Sequence, residues 1–164
     1  MSSQPPAFRI LFVCTGNTCR SPLAVVALAA ALGPDADQVE LLSAGTAATP
    51  GQPASEGSQR VVAAEGLDLG SHRSRALTPE LARSADLVFV MSAAHRSAVE
   101  SMGVPRSQVH LLSEWPEPGE PELPVFDPFG ASFEAYEECW RRLTRHARRI
   151  ATPVRRMIRE RRLQ

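Results

Sequence analysis

The sequence predicts an α/β protein built on an open parallel β-sheet with helices on both faces. Short β-rich apolar runs alternate with longer segments whose apolar residues lie near helical spacing. Such alternation favours parallel strands joined by right-handed crossovers. The first run, FRILFV at 8–13, is almost continuously apolar, which is typical of a central strand covered on both sides. The chain has 164 residues, a length that suits one domain.

The predicted strands end at positions that matter for function. We expect the first strand to run into Cys14 and the second to close at the Gly45 turn. The four predicted strands are 8–13, 39–45, 85–91 and 109–112. Because ligands of parallel sheets bind at the carboxyl ends of the strands, the residues that follow Cys14 are candidates for a functional site.

Helices are predicted from capping residues, helix breakers and apolar spacing. Pro22 lies where the first turn of a helix tolerates proline, and Gly33 with Pro34 ends that helix. Thr78 is placed to cap a short helix that has Pro79 at its first position. The predicted helices are 21–32, 54–65, a short helix from 79, 93–102 and 132–162.

The remaining segments complete the expected organisation. Residues 1–7 are expected to form a flexible N-terminal tail and residues 8–164 a single domain, and the Pro- and Glu-rich stretch 113–130 predicts a surface loop. The final helix carries ten arginines between Arg141 and Arg162. A solvated helix face is favoured over a nucleic-acid contact because the net charge is zero. Pro153 is expected to break or kink this helix.

Composition excludes several function classes. All 18 basic residues are arginine, and 18 acidic residues balance them, so no polyanionic or membrane partner is indicated. Without lysine the chain cannot form a Walker-type phosphate loop or a lysine Schiff base. Three cysteines and no recognisable secretory leader indicate a reducing compartment, and we expect a cytoplasmic protein. No apolar stretch reaches the roughly 18 residues of a membrane span.

The junction after the first strand carries reactive residues where a core would need apolar ones. Cys14 stands where unpaired N–H groups and the dipole of the following helix favour a thiolate and collect anions. Five residues separate it from Arg20, whose guanidinium fork matches two phosphoryl oxygens. Gly16 and Asn17 tolerate the left-handed dihedrals that turn several N–H groups inward. The pattern predicts a thiol-based site for a phosphate ester.

The stretch VCTGNTCRSP at 13–22 resembles the phosphate loop of the low-molecular-weight protein-tyrosine phosphatase family. The stretches SAGT at 43–46, HRSRALT at 72–78 and DPFG at 127–130 extend the resemblance over about 8–149. The resemblance implies a flavodoxin-like three-layer sandwich whose four-stranded parallel sheet has the order 2-1-3-4, with helices on both faces.

The resemblance also implies a role for each residue that matches a family motif. Cys14 corresponds to the nucleophile, Arg20 to the phosphate-binding arginine and Asp127 to the general acid. The other implied positions are the phosphate-binding loop residues Thr15, Gly16, Asn17, Thr18, Cys19 and Ser21 and the loop-supporting residues Ser43 and His72. The implied enzyme forms a cysteinyl-phosphate, acts on phosphorylated proteins, binds phosphate and similar oxyanions, and requires no metal or cofactor.

Thr18 and Phe129 bear on which phosphorylated side chain is cleaved. Tyrosine phosphatases of the family usually carry Ile or Leu at the position of Thr18, whereas protein arginine phosphatases carry threonine. Phe129 is the only evident aromatic wall after the DP pair. A threonine hydroxyl can meet a guanidinium that a branched apolar group would exclude. The resemblance therefore favours the protein arginine phosphatase branch and phosphoarginine, with phosphotyrosine as the alternative.

Other interpretations of these residues are open from the sequence alone. Asp127 can cap a following helix, and His72 can be an ordinary loop histidine. Cys19 is either a packed thiol or, as the family implies, a partner that traps Cys14 in a reversible disulfide. Some arsenate reductases share the loop but use two further cysteines, and this chain has none between Cys19 and Cys139. A non-catalytic phosphoprotein-binding module would typically lose the nucleophile or the acid, and both are present.

Overall fold

Four parallel strands form the sheet of the computed structural model, which describes residues 7–117 and 125–164. The strands are β1 (Phe8–Cys14), β2 (Val39–Gly45), β3 (Leu87–Val90) and β4 (Val109–Leu111). In space they lie in the order β2-β1-β3-β4, which confirms the predicted sheet. The predicted tail, residues 1–7, lies outside the described residues except for Ala7, which is exposed.

Five α-helices connect and follow these strands within the described ranges. Ser55, Thr78 and Ser132 precede three of them, and each side chain accepts a hydrogen bond from a backbone N–H group of the first turn. The helices are α1 (Arg20–Leu32), α2 (Glu56–Ala63), α3 (Pro79–Ser84), α4 (Ala93–Glu100) and α5 (Phe133–Arg162). Two short 3-10 helices, Gly33–Gln38 and Arg106–Gln108, are absent from the sequence prediction.

Alternate side chains of β1 enter two separate apolar cores. Ile10 and Phe12 pack in one core with residues of α1 and α5. Leu11 and Val13 pack in the other core with residues of α3 and α4. All four side chains are at most 1% exposed, which explains why the strand is apolar on both faces. The resulting three layers confirm the predicted flavodoxin-like sandwich.

The long helix α5 continues through Pro153, so the predicted break does not occur, and a kink there stays a prediction. Proline removes one backbone hydrogen bond from a helix interior. Here the buried side chains of Ile150, Val154 and Ile158 continue the apolar face of α5 on both sides of the proline, in the core shared with α1. The stabilisation from packing along this face outweighs the loss of that backbone hydrogen bond. No helix in the described ranges is both long and apolar enough to cross a membrane.

Six of the ten arginines of α5 are exposed, in keeping with the expected solvated face, whereas Arg155 and Arg161 bind other parts of the fold. Arg155 Nε donates to Asp35 Oδ2 at 2.9 Å, and its Nη2 donates to the Ala31 carbonyl at 2.8 Å. Arg161 forms an ion pair with Asp86, just before β3. These contacts fasten α5 to the end of α1 and to the amino end of the sheet.

The segment 113–130, predicted as a surface loop, is partly buried where the structure describes it. Residues 118–124 lie outside the described residues. Ser113 and Val125 are at most 1% exposed, and the Val125 N–H donates to the Met91 carbonyl at 3.0 Å. Because Met91 follows β3, this bond places Asp127 at the same sheet edge as Cys14.

We expect Gly57 of α2 not to tolerate a side chain. An added Cβ would lie 2.5 Å from ring atoms of Tyr136 in α5, and Tyr136 is only 6% exposed. Replacing glycine by alanine in a helix normally stabilises it, by at most about 1 kcal/mol. Overpacking should instead make Gly57→Ala lower the free energy of unfolding by about 1–3 kcal/mol. Urea unfolding measures this, with Ala63→Gly at an exposed position of α2 reporting helix propensity alone; a Gly57→Ala protein as stable as wild type would contradict the contact.

Candidate active site

The candidate site is a pocket of about 520 Å³ at the carboxyl end of β1. Cys14 ends β1, and residues 15–19 form a loop that leads directly into α1 at Arg20. The pocket is lined by this loop, by residues between 47 and 56 after β2, and by Asp127 and Phe129. The structure therefore brings the three residues predicted to be catalytic into one cavity.

The backbone N–H groups of the loop are available to bind an anion. In the described chain, the N–H groups of residues 15–19 donate to no other residue. Asn17 has a φ of 58°, the left-handed conformation that turns successive N–H groups to one side. The amino end of the 13-residue helix α1 stands directly behind the loop and adds positive potential. The loop therefore presents N–H groups and positive potential to an anion.

A chain of hydrogen bonds runs from outside the loop to the sulfur of Cys14. The Arg75 N–H donates to Asn17 Oδ1 at 2.9 Å, which orients the amide so that Nδ2 donates to Ser21 Oγ at 2.8 Å. Because the Ser21 oxygen accepts that bond, its hydrogen is left for Cys14 Sγ, 2.9 Å away. The Ser21 hydroxyl can therefore donate a hydrogen bond to the Cys14 sulfur.

His72 holds the loop from a second side. Its Nε2 lies 2.7 Å from the carbonyl oxygen of Asn17, and since a carbonyl only accepts, Nε2 carries a hydrogen. Burial lowers the pKa of His72, the hydrogen bond to Asn17 opposes that shift, and the charges of Arg73 and Arg75 lower the pKa further. His72 therefore supports the loop as a neutral ring at pH 7.

Gly45 permits a close contact between the loop and the end of β2. The N–H groups of Thr46 and Ala47 donate to the carbonyls of Cys14 and Thr15, both at 2.9 Å. A Cβ on Gly45 would lie 2.3 Å from the Thr15 oxygen. Only a residue without a side chain fits between the two segments.

Ser43 reaches the supporting network only through its backbone. Its carbonyl oxygen accepts a hydrogen bond from Arg75 Nε at 3.2 Å, and its hydroxyl makes no hydrogen bond to the loop in the part of the chain that the structure describes. The sequence did not single out Arg75, yet its N–H orients Asn17. The contact that supports the loop here is therefore the bond from the Arg75 N–H to Asn17, and Ser43 contributes only a carbonyl that binds Arg75.

The guanidinium of Arg20 stands between the loop and Asp127. Nη1 donates to the Val125 carbonyl at 3.0 Å and Nη2 to Thr15 Oγ1 at 3.3 Å, while Nη2 lies 3.6 Å from Asp127 Oδ2. Arg20 Nε is buried and has no partner among the described residues. The site therefore combines a cation with a free donor and a carboxylate that can hold or accept a proton.

His95 of α4 contacts the loop, although its position in the sequence gives no signal of this. Its Nε2 lies 2.9 Å from Thr15 Oγ1, and its Nδ1 lies 3.1 Å from Ser92 Oγ. Burial and, to a smaller extent, the charge of Arg20 lower the pKa of His95 to about 4, against the opposing effect of Asp127. The ring is neutral at pH 7 and adds no charge beside Arg20.

Cys19 has different neighbours from Cys14. Its Sγ lies 3.2 Å from Ser55 Oγ and 3.5 Å from Tyr136 Oη. Both cysteines are free and line the pocket, and a reversible disulfide between them stays a prediction. Burial raises the pKa of Cys139, the third cysteine, to about 12, in keeping with its place in the apolar core.

Two walls of the pocket bear on the shape of a substrate. Thr18 is half-buried, with Oγ1 3.8 Å from Cys19 Sγ. Phe129 is 69% exposed and is the one aromatic residue among the described lining residues. Its N–H donates to Asp127 Oδ1 at 3.1 Å, so the carboxylate that faces Arg20 also orients the start of the aromatic wall.

Sequence comparison finds relatives over nearly the whole chain. The family model described as low molecular weight phosphotyrosine protein phosphatase matches residues 9–161. The protein-arginine-phosphatase of Bacillus subtilis strain 168 is 35% identical over 143 residues, covering 87% of this chain and 93% of that protein. The low molecular weight protein-tyrosine-phosphatase Etp of Escherichia coli K12 is 35% identical over 137 residues, covering 83% of this chain and 87% of that protein.

Solved structures of an arginine phosphatase and of a tyrosine phosphatase share the fold of this chain. The YwlE arginine phosphatase from Geobacillus stearothermophilus has a TM-score of 0.82 at 32% identity and covers 93% of this chain and 96% of its own. The tyrosine phosphatase Wzb from Escherichia coli K30, solved with sulphate, has a TM-score of 0.80 at 30% identity and covers 91% of this chain and 99% of its own. Overall similarity does not separate the two substrate classes, so the residues of the pocket must.

The neutral, buried His95 predicts a loss of stability in acid. The unfolded chain takes up a proton on this ring below about pH 6.5, whereas the folded protein does so only below about pH 4. Unfolding is therefore favoured as pH falls through that window. Between about pH 7.5 and pH 4.5 we expect the free energy of unfolding of wild type, relative to His95→Gln, to fall by about 2–3 kcal/mol. Urea titrations of both proteins measure the difference, and an equal difference at the two pH values would show that the ring is not held neutral.

Proposed function

Because the chain belongs to the low molecular weight phosphotyrosine protein phosphatase family, we propose that residues 8–164 act as one domain that hydrolyses phosphoarginine in proteins through a cysteinyl-phosphate on Cys14. The observation that carries the proposal is the loop at 15–19, whose N–H groups have no partner in the described chain, in front of a sulfur to which Ser21 can donate. The predicted cytoplasmic location stays a prediction.

In the proposed first step the Cys14 thiolate attacks phosphorus in line with the leaving group. A phosphorus–sulfur bond forms, the phosphorus–nitrogen bond to the substrate guanidine breaks, and Asp127 gives its proton to the departing nitrogen. The loop N–H groups and Arg20, with its unpartnered Nε, stabilise the phosphoryl oxygens, whose charge is redistributed during transfer.

In the proposed second step a water molecule releases the phosphate. Asp127, now a carboxylate, takes a proton from water while the water oxygen attacks phosphorus. The phosphorus–sulfur bond breaks, inorganic phosphate leaves, and Cys14 returns as the thiolate. The Asp127 side chain is 46% exposed, which gives water access to it.

The choice of phosphoarginine rests on the pocket walls. Thr18 supplies a hydroxyl that can pair with the N–H groups of a substrate guanidine. Phe129 supplies an aromatic face on one side only and is largely exposed, so a phenyl ring would be stacked on one side. Phosphotyrosine is the second candidate, because tyrosine phosphatases are related to this chain at similar identity.

Two other activities have weaker support. Arsenate reduction in related folds uses further cysteines, and the third cysteine here, Cys139, is buried in the apolar core. A module that only binds phosphoproteins has no use for a carboxylate held 3.6 Å from Arg20.

Asp127→Ala should slow the reaction by removing the proposed acid and base. On a phosphopeptide we expect kcat to fall by about 10²- to 10⁴-fold. With p-nitrophenyl phosphate the rate of the first step should fall less, because that leaving group departs without a proton. Steady-state kinetics measure both, with Asp37→Ala as a control carboxylate in the 3-10 turn after α1. An unchanged kcat on phosphopeptides would rule out Asp127 as the proton donor.

Thr18→Ile should shift substrate preference toward phosphotyrosine. Replacing the hydroxyl by a branched apolar group removes a partner for guanidine N–H groups, and we expect the ratio of kcat/KM for phosphoarginine over phosphotyrosine peptides to fall by about tenfold or more. Thr18→Ser, which keeps a hydroxyl, should retain the wild-type preference. A wild type that prefers phosphotyrosine would refute the phosphoarginine assignment.

A further inference from the structure

A second pocket, of about 580 Å³, opens beside the catalytic pocket along α2. The two pockets share Pro53, Ala54 and Glu56 as lining residues, so the mouth of one continues into the other. Beyond this border the second pocket is lined by Gln59, Arg60, Ala63, Leu67, Asp68 and Leu69. We call this second pocket the α2 groove.

The α2 groove combines apolar lining residues with carboxylates. Of its charged side chains, Arg60 is a cation whose guanidinium lies 4.1 Å from the centroid of the Phe133 ring. Asp68 Oδ1 accepts a hydrogen bond from the Gly70 N–H at 2.7 Å. Glu56 is exposed and forms no ion pair within the described residues. Of the three charged side chains that line the groove, only that of Glu56 also lines the catalytic pocket.

We propose that the α2 groove is a subsite for the substrate polypeptide and that Glu56 binds a cationic side chain within two positions of the phosphorylated residue. The inference rests on the proposed phosphatase function. With the phosphoryl group in the loop at 15–19, the substrate backbone stands at the pocket mouth, and the chain on one side of it can enter the groove across Pro53 and Glu56, which line both pockets. A lysine or arginine there meets the carboxylate of Glu56, whereas an acidic residue is repelled.

The effect of Glu56 should be modest and sensitive to salt. An ion pair at an exposed position changes affinity by about two- to fivefold, and added salt should reduce that factor. We expect a phosphopeptide with lysine beside the phosphorylated residue to have a higher kcat/KM, by about two- to fivefold, than the same peptide with glutamine.

The experiment measures the lysine-to-glutamine ratio of kcat/KM for wild type, Glu56→Gln and Glu65→Gln. Glu65 follows α2, is exposed and lies outside both pockets, so Glu65→Gln makes the same charge change away from the groove. We expect this ratio of kcat/KM values to fall to about 1 in Glu56→Gln and to stay at the wild-type value in Glu65→Gln. A wild-type ratio of about 1, a ratio retained in Glu56→Gln, or an equal loss in both variants would overturn the subsite.

The affinities of the Cys14→Ser protein for the two phosphopeptides test the groove separately from the proposed catalytic function. If wild type turns over neither peptide, the proposed function fails, and the affinities of the Cys14→Ser protein for the two phosphopeptides still test the groove. Fluorescence anisotropy should give the same two- to fivefold preference for the lysine peptide, with or without Glu65→Gln, and no preference once Glu56→Gln is added. Equal affinities in the Cys14→Ser protein would overturn the subsite on their own.

Discussion

The candidate site depends on Asn17 being held in a left-handed conformation while fully buried. A buried amide on such a backbone is costly unless its polar atoms are paired. Here Oδ1 accepts from Arg75, Nδ2 donates to Ser21, and the carbonyl oxygen accepts from His72. These partners all belong to the protein, so the pairing of Asn17 does not use the N–H groups that face the pocket. Preorganised donors of this kind need not reorganise during a reaction, which is where such sites obtain most of their effect.

The sheet places this network by bringing three neighbouring strand ends together. Cys14 ends the central strand β1 and pairs in register with Gly45 at the end of β2, and the missing side chain of Gly45 lets the loop backbone approach. On the other side, Met91 after β3 binds Val125, whose carbonyl accepts from Arg20. Cys14 and Arg20, which flank one short loop, thus meet Asp127 at one sheet edge, although Asp127 lies far from them in sequence. Side chains of β1 are packed on both faces of the sheet, which fixes the position of the strand end.

The elements and the central residues of the site could be predicted because they are encoded locally. The apolar run into Cys14, the cap at Thr78 and the spacing from Cys14 to Arg20 each lie within a few residues, and the structure has the corresponding elements. Contacts between distant segments could not be predicted this way. The engagement of Arg75 with Asn17 depends on a backbone N–H, which every non-proline residue has, so the residue type carries no signal. Helix α5 continues through Pro153 because of packing against α1, a tertiary effect that outweighs local preference.

The two histidines that contact the loop support its structure without adding positive charge to the site. His72 and His95 both have a lowered pKa, chiefly because they are buried and secondly because arginines are near them. A charged ring beside Arg20 would repel the guanidinium and would compete with the guanidinium for the anion. Neutral rings instead hold Asn17 and Thr15 by hydrogen bonds, and the positive potential stays on Arg20 and the loop amides, where phosphate oxygens would bind. It follows that a change of rate with pH near neutrality should not be attributed to His95, whose pKa is lowered to about 4, although it lies within hydrogen-bond distance of the loop.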